Sequence, residues 1–595
     1  MIFPRVAETE RNELRMKTHP VLLAITILAV ACLTLNDAHA QEFLKFSDNW
    51  VATDALGRTL PQHAEAGDRK SEKFVGVFYF VWVGNHSQQV YDISKILQQQ
   101  DESKRKWGAE HATHFGFEPE YGYFHASDPW VIRRDMQMLA AADVDFIYLD
   151  VTNTRIYEDT VHELLKVIKQ MRQEGIAAPQ VTFCTNSASG KTMNRIYDRF
   201  YKSPDNASLW FGWEGRPLIF GIAEDPVLRQ EVANAFTIKR SWAWTAAKKE
   251  PNHWQWLDNY PQDYGWSESP DIAEQIPVAT ASHASNSQGR SYHNRSQPAV
   301  GPDYMTEHSQ QGLHFEEQWQ RAHQVDPKVV MITGWNEWIA MRFINKQQAK
   351  LFAGRPAMQD GTWFVDVFTQ EFSRDIAPMK GGYTDSYYYQ MVGHIRRFKG
   401  LSAPAQRPEP SEIQIDGTFN DWTNIPAVYL DPQKDTMHRS FRGTDPAVTY
   451  TNSFGRNDIV SSQVVEGGQQ VHFMVSTAEN LTAHTDENWM VLLIDADQNE
   501  ATGWEGYDLA INRNAVSESE STVAKWVDGA WQSTGKIPIA YEGKHLELSV
   551  ANDLFPREPN QSFDFKWVDN VSLKTTDSLF LEGDAAPDRR FNFRY

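Results

Sequence analysis

Acidic residues stand at the ends of apolar runs in this chain, and that placement is where its chemistry begins. Asp150 closes VDFIYLDVTN (144–153) and Glu337 closes VVMITGWNEW (329–338), where it sits between Trp335 and Trp338. Glu371 and Asp375 end or follow TWFVDVFTQEF (362–372). Two carboxyl groups converging on one bond can divide the labour of glycoside hydrolysis, one protonating the leaving oxygen and the other serving as nucleophile or base. Glu337 and Asp150 are therefore the candidate catalytic pair. An apolar, indole-rich setting would raise the pKa of Glu337 toward that of a general acid. Asp150 equally suits the cap of the following helix. Trp335, Asn336, Trp338, Trp242, His283, Asn186 and Glu371 occupy comparable run-end positions and are the candidate substrate contacts, although a single histidine such as His283 is often structural. No serine or cysteine nucleophile sits beside a base motif. No H-E-x-x-H or paired His and Cys spacing provides a transition-metal site, so catalysis is expected to need no cofactor.

Eight apolar runs can carry these residues: 74–83, 144–153, 179–187, 217–223, 236–244, 276–285, 329–338 and 362–372. Helical patterns alternate with them. Asp128 and Pro129 suit a helix cap and first turn ahead of Ile132, Met136 and Leu139, and Val161, Leu164, Leu165, Ile168 and Met171 share one face before Gly175. Tyr387, Met391, Ile395 and Phe398 repeat the spacing after the last run. Eight such units predict a (β/α)8 TIM barrel over 74–399, in which the working side chains gather at the C-terminal strand ends. A proline-rich linker is expected at 400–411, which would leave few contacts across it. Short alternating strands predict an all-β sandwich over 412–595. Within the sandwich, Asp495, Asp497 and Asn499 alternate as D-x-D-x-N, a spacing that suits a structural calcium ion or an ordinary polar turn.

The formal charge of −21 in 595 residues disfavours nucleic acid and anionic membranes as partners. A neutral ligand fits better, and 21 tryptophans supply flat apolar faces of the kind that sugars stack on. Residues 1–40 are expected to be a signal peptide. Its start is expected at Met16, its apolar run is VLLAITILAVACLTL, and Ala38-His39-Ala40 places cleavage after Ala40. A secreted or periplasmic bacterial protein is implied, with no membrane association after processing, a lead-in segment over 41–73, and Cys184 as its sole cysteine.

GWNEW, PLIFGIA (217–223) and YFHASDPWVIRRDMQMLAAADVDFIYLDVTN together resemble the barrel of the glycoside hydrolase family 99 and 71 group, over roughly Phe74 to Lys399. The resemblance implies metal-independent cleavage of O-glycosidic bonds in polysaccharides or oligosaccharides. It carries half of the family's catalytic pair onto Glu337, whereas the second glutamate expected three residues later is Ala340 here. Either another carboxylate such as Asp150 or Glu371 completes the pair, or the barrel is a non-catalytic glycan-binding protein of a polysaccharide-utilisation system. IDGTFNDW (415–422) and DADQNEATGWEGYDLAIN (495–512) resemble family 9 carbohydrate-binding modules.

Overall fold

The computed structural model describes residues 47–243, 250–345, 351–356, 358–555, 557–558 and 561–595. The expected signal segment lies outside them.

In chain order the first domain carries β1 (Phe74–Tyr79), β2 (Thr113–Phe115), β3 (Phe146–Asp150), β4 (Gln180–Cys184), β5 (Gly212–Trp213) and β6 (Arg216–Phe220). There follow β7 (Thr237–Lys239), β8 (Gln275–Ala279), β9 (Val329–Trp335), β10 (Ile339–Ile344) and β11 (Thr362–Phe364). Seven of these run parallel in the order β7-β6-β4-β3-β1-β9-β8, and β5 lies antiparallel on β6. Their near-continuous apolar sequences follow from burial on both faces, since helices cover one side and the barrel interior fills the other. That interior is aromatic: Phe78 stacks on Tyr148 at 4.6 Å, and Phe80, Phe146, Phe220 and Trp254 pack around Met331. Gly76 is obligatory at its place in β1, because a Cβ there would lie 2.2 Å from the Phe146 ring.

The helices are α1 (Pro129–Ala141), α2 (Glu158–Gln173), α3 (Ser189–Ile196), α4 (Gln230–Ala235), α5 (Leu313–Val325) and α6 (Ser386–Lys399). Asp128 caps α1 by accepting from the Trp130 amide at 3.0 Å, as its sequence suggests. The chain leaves α2 through Gly175 at φ +79° and leaves α6 through Gly400 at φ +74°.

The domain is a (β/α)8-type barrel, but its eighth stave is not the one expected. Residues 362–372 do not enter it: β11 pairs with β10, and β10 with β2, in a separate three-stranded sheet beside the barrel mouth. The vacant place goes to residues 253–257, which bridge in parallel to Arg240 and Ala243. Side-chain amides link this segment onward to β8, with Gln275 Nε2 donating to the Gln255 carbonyl at 2.8 Å. Sequence HWQWL offers too short an apolar run to stand out, yet Trp254 is wholly buried in the barrel interior.

The second domain is all-antiparallel. One half is built from Tyr429–Leu430, Ile459–Glu466, Gln470–Thr477 and His545–Ala551. Glu520–Val527, Leu509–Ala515, Val491–Asp495, Asp564–Asp569 and Asp584–Ala586 build the other. The thirteen-residue strand Ala530–Glu542 joins both halves, pairing with Glu520–Val527 at its start and with His545–Ala551 at its end, which folds the sheet into a sandwich.

Contrary to the sparse contact expected across the proline-rich stretch, the domains share buried charge pairs. Arg589 grips Glu120 through two bonds of 2.7 and 2.8 Å, and Arg439 meets Asp128 at 2.8 Å. Trp50 of the lead-in segment packs on Phe591 and Phe593.

Candidate active site at the barrel mouth

Strand β9 delivers Glu337 to the mouth by a turn in which Asn336 adopts φ +57° and its Oδ1 accepts from the Phe80 amide at 2.8 Å. Asn336 thus ties the end of β9 to β1. Beyond it, the Gly334 amide donates to the Arg374 carbonyl at 2.8 Å, and the Ile376 amide donates back to Gly334 at 3.0 Å. This exchange lays residues 374–376 alongside β9 and sets Arg374 beside Glu337.

The pair is bidentate and buried. Arg374 Nε donates to Glu337 Oε2 at 2.9 Å and Nη2 to Oε1 at 2.8 Å, with the two side chains only 2% and 3% exposed. The same Nη2 reaches Asp366 Oδ1 at 3.2 Å, and Nη1 donates to the Ser282 carbonyl at 3.0 Å. Arg374 therefore bridges a buried carboxylate and a half-exposed one. Burial pushes Glu337 up to about 8, helped by Asp366 and Asp375 and opposed by Arg374. Arg374 opposes that rise by donating to both oxygens, so the pair favours the carboxylate while burial favours the neutral acid. Its acidity hinges on whether Arg374 stays.

Asp150 ends β3 at the same mouth. Its Oδ1 accepts from the Thr152 amide at 3.0 Å and from Thr152 Oγ1 at 2.8 Å, and burial raises its pKa with a further push from Asp366 and a counter-pull from Arg374. His283, beyond β8, has its Nδ1 2.5 Å from Ser285 Oγ, and burial with the charge of Arg374 lowers it to about 4. A neutral imidazole results. The Trp256 ring lies 5.7 Å from the Arg374 guanidinium and meets Trp242 edge-on at 6.2 Å. Trp242 is 39% exposed. Asn186 is half-buried just past β4.

The structure thus brings Glu337, Asp150, His283 and Trp242 of the expected set to one end of the barrel. It does not bring Trp335, Trp338 or Glu371 there. Trp335 is fully buried against the helices, edge-on to Tyr388 at 6.0 Å, because strand alternation turns it outward from the barrel axis. Trp338 packs edge-on to Phe117 at 5.5 Å in the core beneath β10. The indole that does face the site is Trp256, beside Arg374. Glu371 accepts from the Ser291 amide, Ser291 Oγ, Gln297 Nε2 and Ser309 Oγ, all within 2.9 Å, and so organises the 291–309 loop. Asp366 was missed because 362–372 reads as a strand that would bury it, and Arg374, just beyond that run, because nothing in the neighbouring sequence marks it.

In the sandwich, Asp495, Asp497 and Asp508 can each offer a carboxylate oxygen within 4.8 Å of the others, and the Asn499 amide donates to Asp497 Oδ1 at 3.0 Å and to Asp495 Oδ1 at 3.3 Å.

Fold and site together describe a parallel-barrel protein with carboxylates and indoles at the C-terminal mouth, joined to an all-β sandwich. No protein-family model matches the sequence, and no curated protein matches it. Among solved structures, it is similar to a GH99 endo-alpha-mannosidase from Bacteroides thetaiotaomicron in complex with bis-tris propane, at 12% identity and TM-score 0.32, covering 55% of this chain and 96% of that one. A second structure of the GH99 endo-alpha-mannosidase from that organism gives 14% identity and TM-score 0.29, covering 55% and 97%. A glycoside hydrolase-like protein gives 10% and 0.32, covering 56% and 95%. Likeness at this level carries no argument about activity.

Proposed function

We propose that the barrel is a glycoside hydrolase that cleaves O-glycosidic bonds of a polysaccharide or oligosaccharide by carboxylate chemistry, without a metal. The observation that carries this reading is the Glu337–Arg374–Asp366 cluster, with Asp150 within its electrostatic reach, at the barrel end where such folds do their work. Paired with Arg374 as a carboxylate, Glu337 suits the nucleophile, the base, or the charge that stabilises an oxocarbenium-like transition state, and in the neutral form that burial favours it suits the acid. Asp150, pushed up by burial, suits the acid. Trp242 and Trp256 offer faces for the sugar rings. Export with cleavage after Ala40, a glycan-binding role for the sandwich and a calcium ion at Asp495, Asp497 and Asn499, with Asp508 beside them, belong to the same proposal.

One observation favours a second reading. Both oxygens of Glu337 are occupied by Arg374, and Ala340 offers no carboxylate, as a barrel that binds glycan without cleaving it would have. Incubating the purified protein with a panel of neutral polysaccharides, followed by mass analysis of products and by affinity electrophoresis, separates the two. Products support the hydrolase; retardation without products supports the binding protein.

A further inference from the structure

Three aspartates meet where the sandwich docks on the barrel, far along the chain from the D-x-D-x-N turn. Asp431 follows the strand Tyr429–Leu430, Asp435 lies in the next turn, and Asp584 opens the strand Asp584–Ala586. Each can offer a carboxylate oxygen within 4.8 Å of the others, and all three are buried, at 5%, 2% and 3% exposure.

A buried carboxylate normally finds donors, because an unpaired one forfeits its hydration. Asp584 finds one: its Oδ2 accepts from the Ile459 amide at 2.6 Å. No N–H or hydroxyl donor reaches either oxygen of Asp431 or Asp435, and the one side chain within hydrogen-bond reach of Asp435 is another carboxyl group, that of Asp458. The surroundings add charge of the same sign. Asp588 and Asp458 lie beside the three, and the cations within reach of the five are Lys566, Arg134 and, acting on Asp458, Arg133 and Lys434. Lys566 gives its ammonium group to the Pro587 carbonyl, and Arg134 is engaged with Asp588 at 3.1 Å. Arg133 and Lys434 are both committed to Glu174.

We propose that Asp431, Asp435 and Asp584 form a calcium site that fastens the sandwich to the barrel. All-oxygen donors select a hard cation, and unconstrained carboxylates from separate loops suit the flexible six- to eight-coordinate shell of Ca2+ better than the strict octahedron of Mg2+. The location gives the ion its role. The turn that bears Asp435 also receives Arg133 Nη2 on the Gln433 carbonyl at 2.7 Å, Trp130 Nε1 on the Met437 carbonyl at 2.8 Å and the Lys434–Glu174 pair at 2.8 Å. Those three contacts come from α1 and the end of α2, so an ion that rigidifies the turn holds the two domains in register.

The test uses the whole protein. Treatment with EGTA should lower the melting temperature by on the order of 5 °C, and millimolar CaCl2, but not MgCl2, should restore it. In an Asp497→Asn background, which removes the turn at Asp495, the calcium response should persist, and adding Asp435→Asn should abolish it. Because Asp435→Asn could fail to fold, wild-type crystals soaked in terbium provide the second measurement: an anomalous peak is expected among Asp431, Asp435 and Asp584. Protons shared between neighbours such as Asp435 and Asp458 are the competing way to hold the cluster. Indifference of melting to EGTA and calcium, equal restoration by MgCl2, or a terbium peak at Asp497 alone would overturn the assignment.

Discussion

Glu337 gives both of its oxygens to the Arg374 guanidinium, and Arg374 in turn extends its Nη2 to the half-exposed Asp366. A ligand that draws Arg374 toward Asp366 would leave Glu337 buried and unpaired, hence protonated, so one arginine can set the protonation state of the candidate catalytic residue. Breaking such a pair from one side strands a charge. Arg374→Met should therefore destabilise the protein by about 3–5 kcal/mol. Adding Glu337→Gln to it should recover more than 1 kcal/mol, roughly the coupling expected of contacting residues. Thermal unfolding of the two single variants and the double variant measures this, and strict additivity would show the pair to be energetically idle.

Trp242, 39% exposed, is an open ring at the mouth among the described residues and meets Trp256 only edge-on. Trp242→Ala should leave the melting temperature unchanged and weaken glycan affinity about tenfold, the loss expected when roughly one stacked face is removed. Titration calorimetry with a bound oligosaccharide checks it; unchanged affinity would place the ligand elsewhere.

The barrel was legible in the sequence wherever a strand is buried on both faces, because FVGVFY, FIYLD and VVMITGW cannot be anything else once helices of matching period separate them. The eighth stave was not legible. His253 to Leu257 carries the polar Gln255 between its indoles and pairs through backbone bridges too few to need an apolar run. By contrast, 362–372 gives only Thr362–Phe364 to a side sheet and buries Phe364, Phe368 and Phe372 outside the barrel. Glu337 was legible as a residue out of place. Its partner was not, because Arg374 is adjacent only through the Gly334 backbone exchange, which no local pattern encodes. The tryptophans flanking Glu337 misled for a related reason: neighbours in sequence point to different sides of a strand.

The domain interface yields its own prediction. Glu120 and Arg589 form a doubly hydrogen-bonded pair with neither side chain more than 9% exposed. Glu120→Ala should cost about 3–5 kcal/mol by leaving Arg589 uncompensated. A melting curve within error of wild type would show the interface to be more hydrated than the structure implies.

Stability should also fall as pH rises. Asp135, buried beneath the site with Tyr79 OH donating to its Oδ2 at 2.9 Å, is pushed up to about 7 by burial. A carboxyl whose folded pKa exceeds its unfolded one, near 4, favours folding fully at low pH. It loses that contribution progressively until the pH has passed the folded value near 7. Asp135→Asn should accordingly flatten the decline in melting temperature between about pH 5 and 8. Parallel declines in wild type and variant would remove Asp135 as a source.

The central claim is that Glu337 acts on a glycosidic bond, and its most direct measurement is the turnover of Glu337→Gln on a glycan that the wild type cleaves. The amide retains the size of the side chain and can neither attack, accept a proton, nor balance a developing positive charge. With binding retained, kcat should fall by at least about 10²-fold, and Asp150→Asn should show a comparable loss if Asp150 supplies the proton. Near-full turnover by Glu337→Gln would contradict the account.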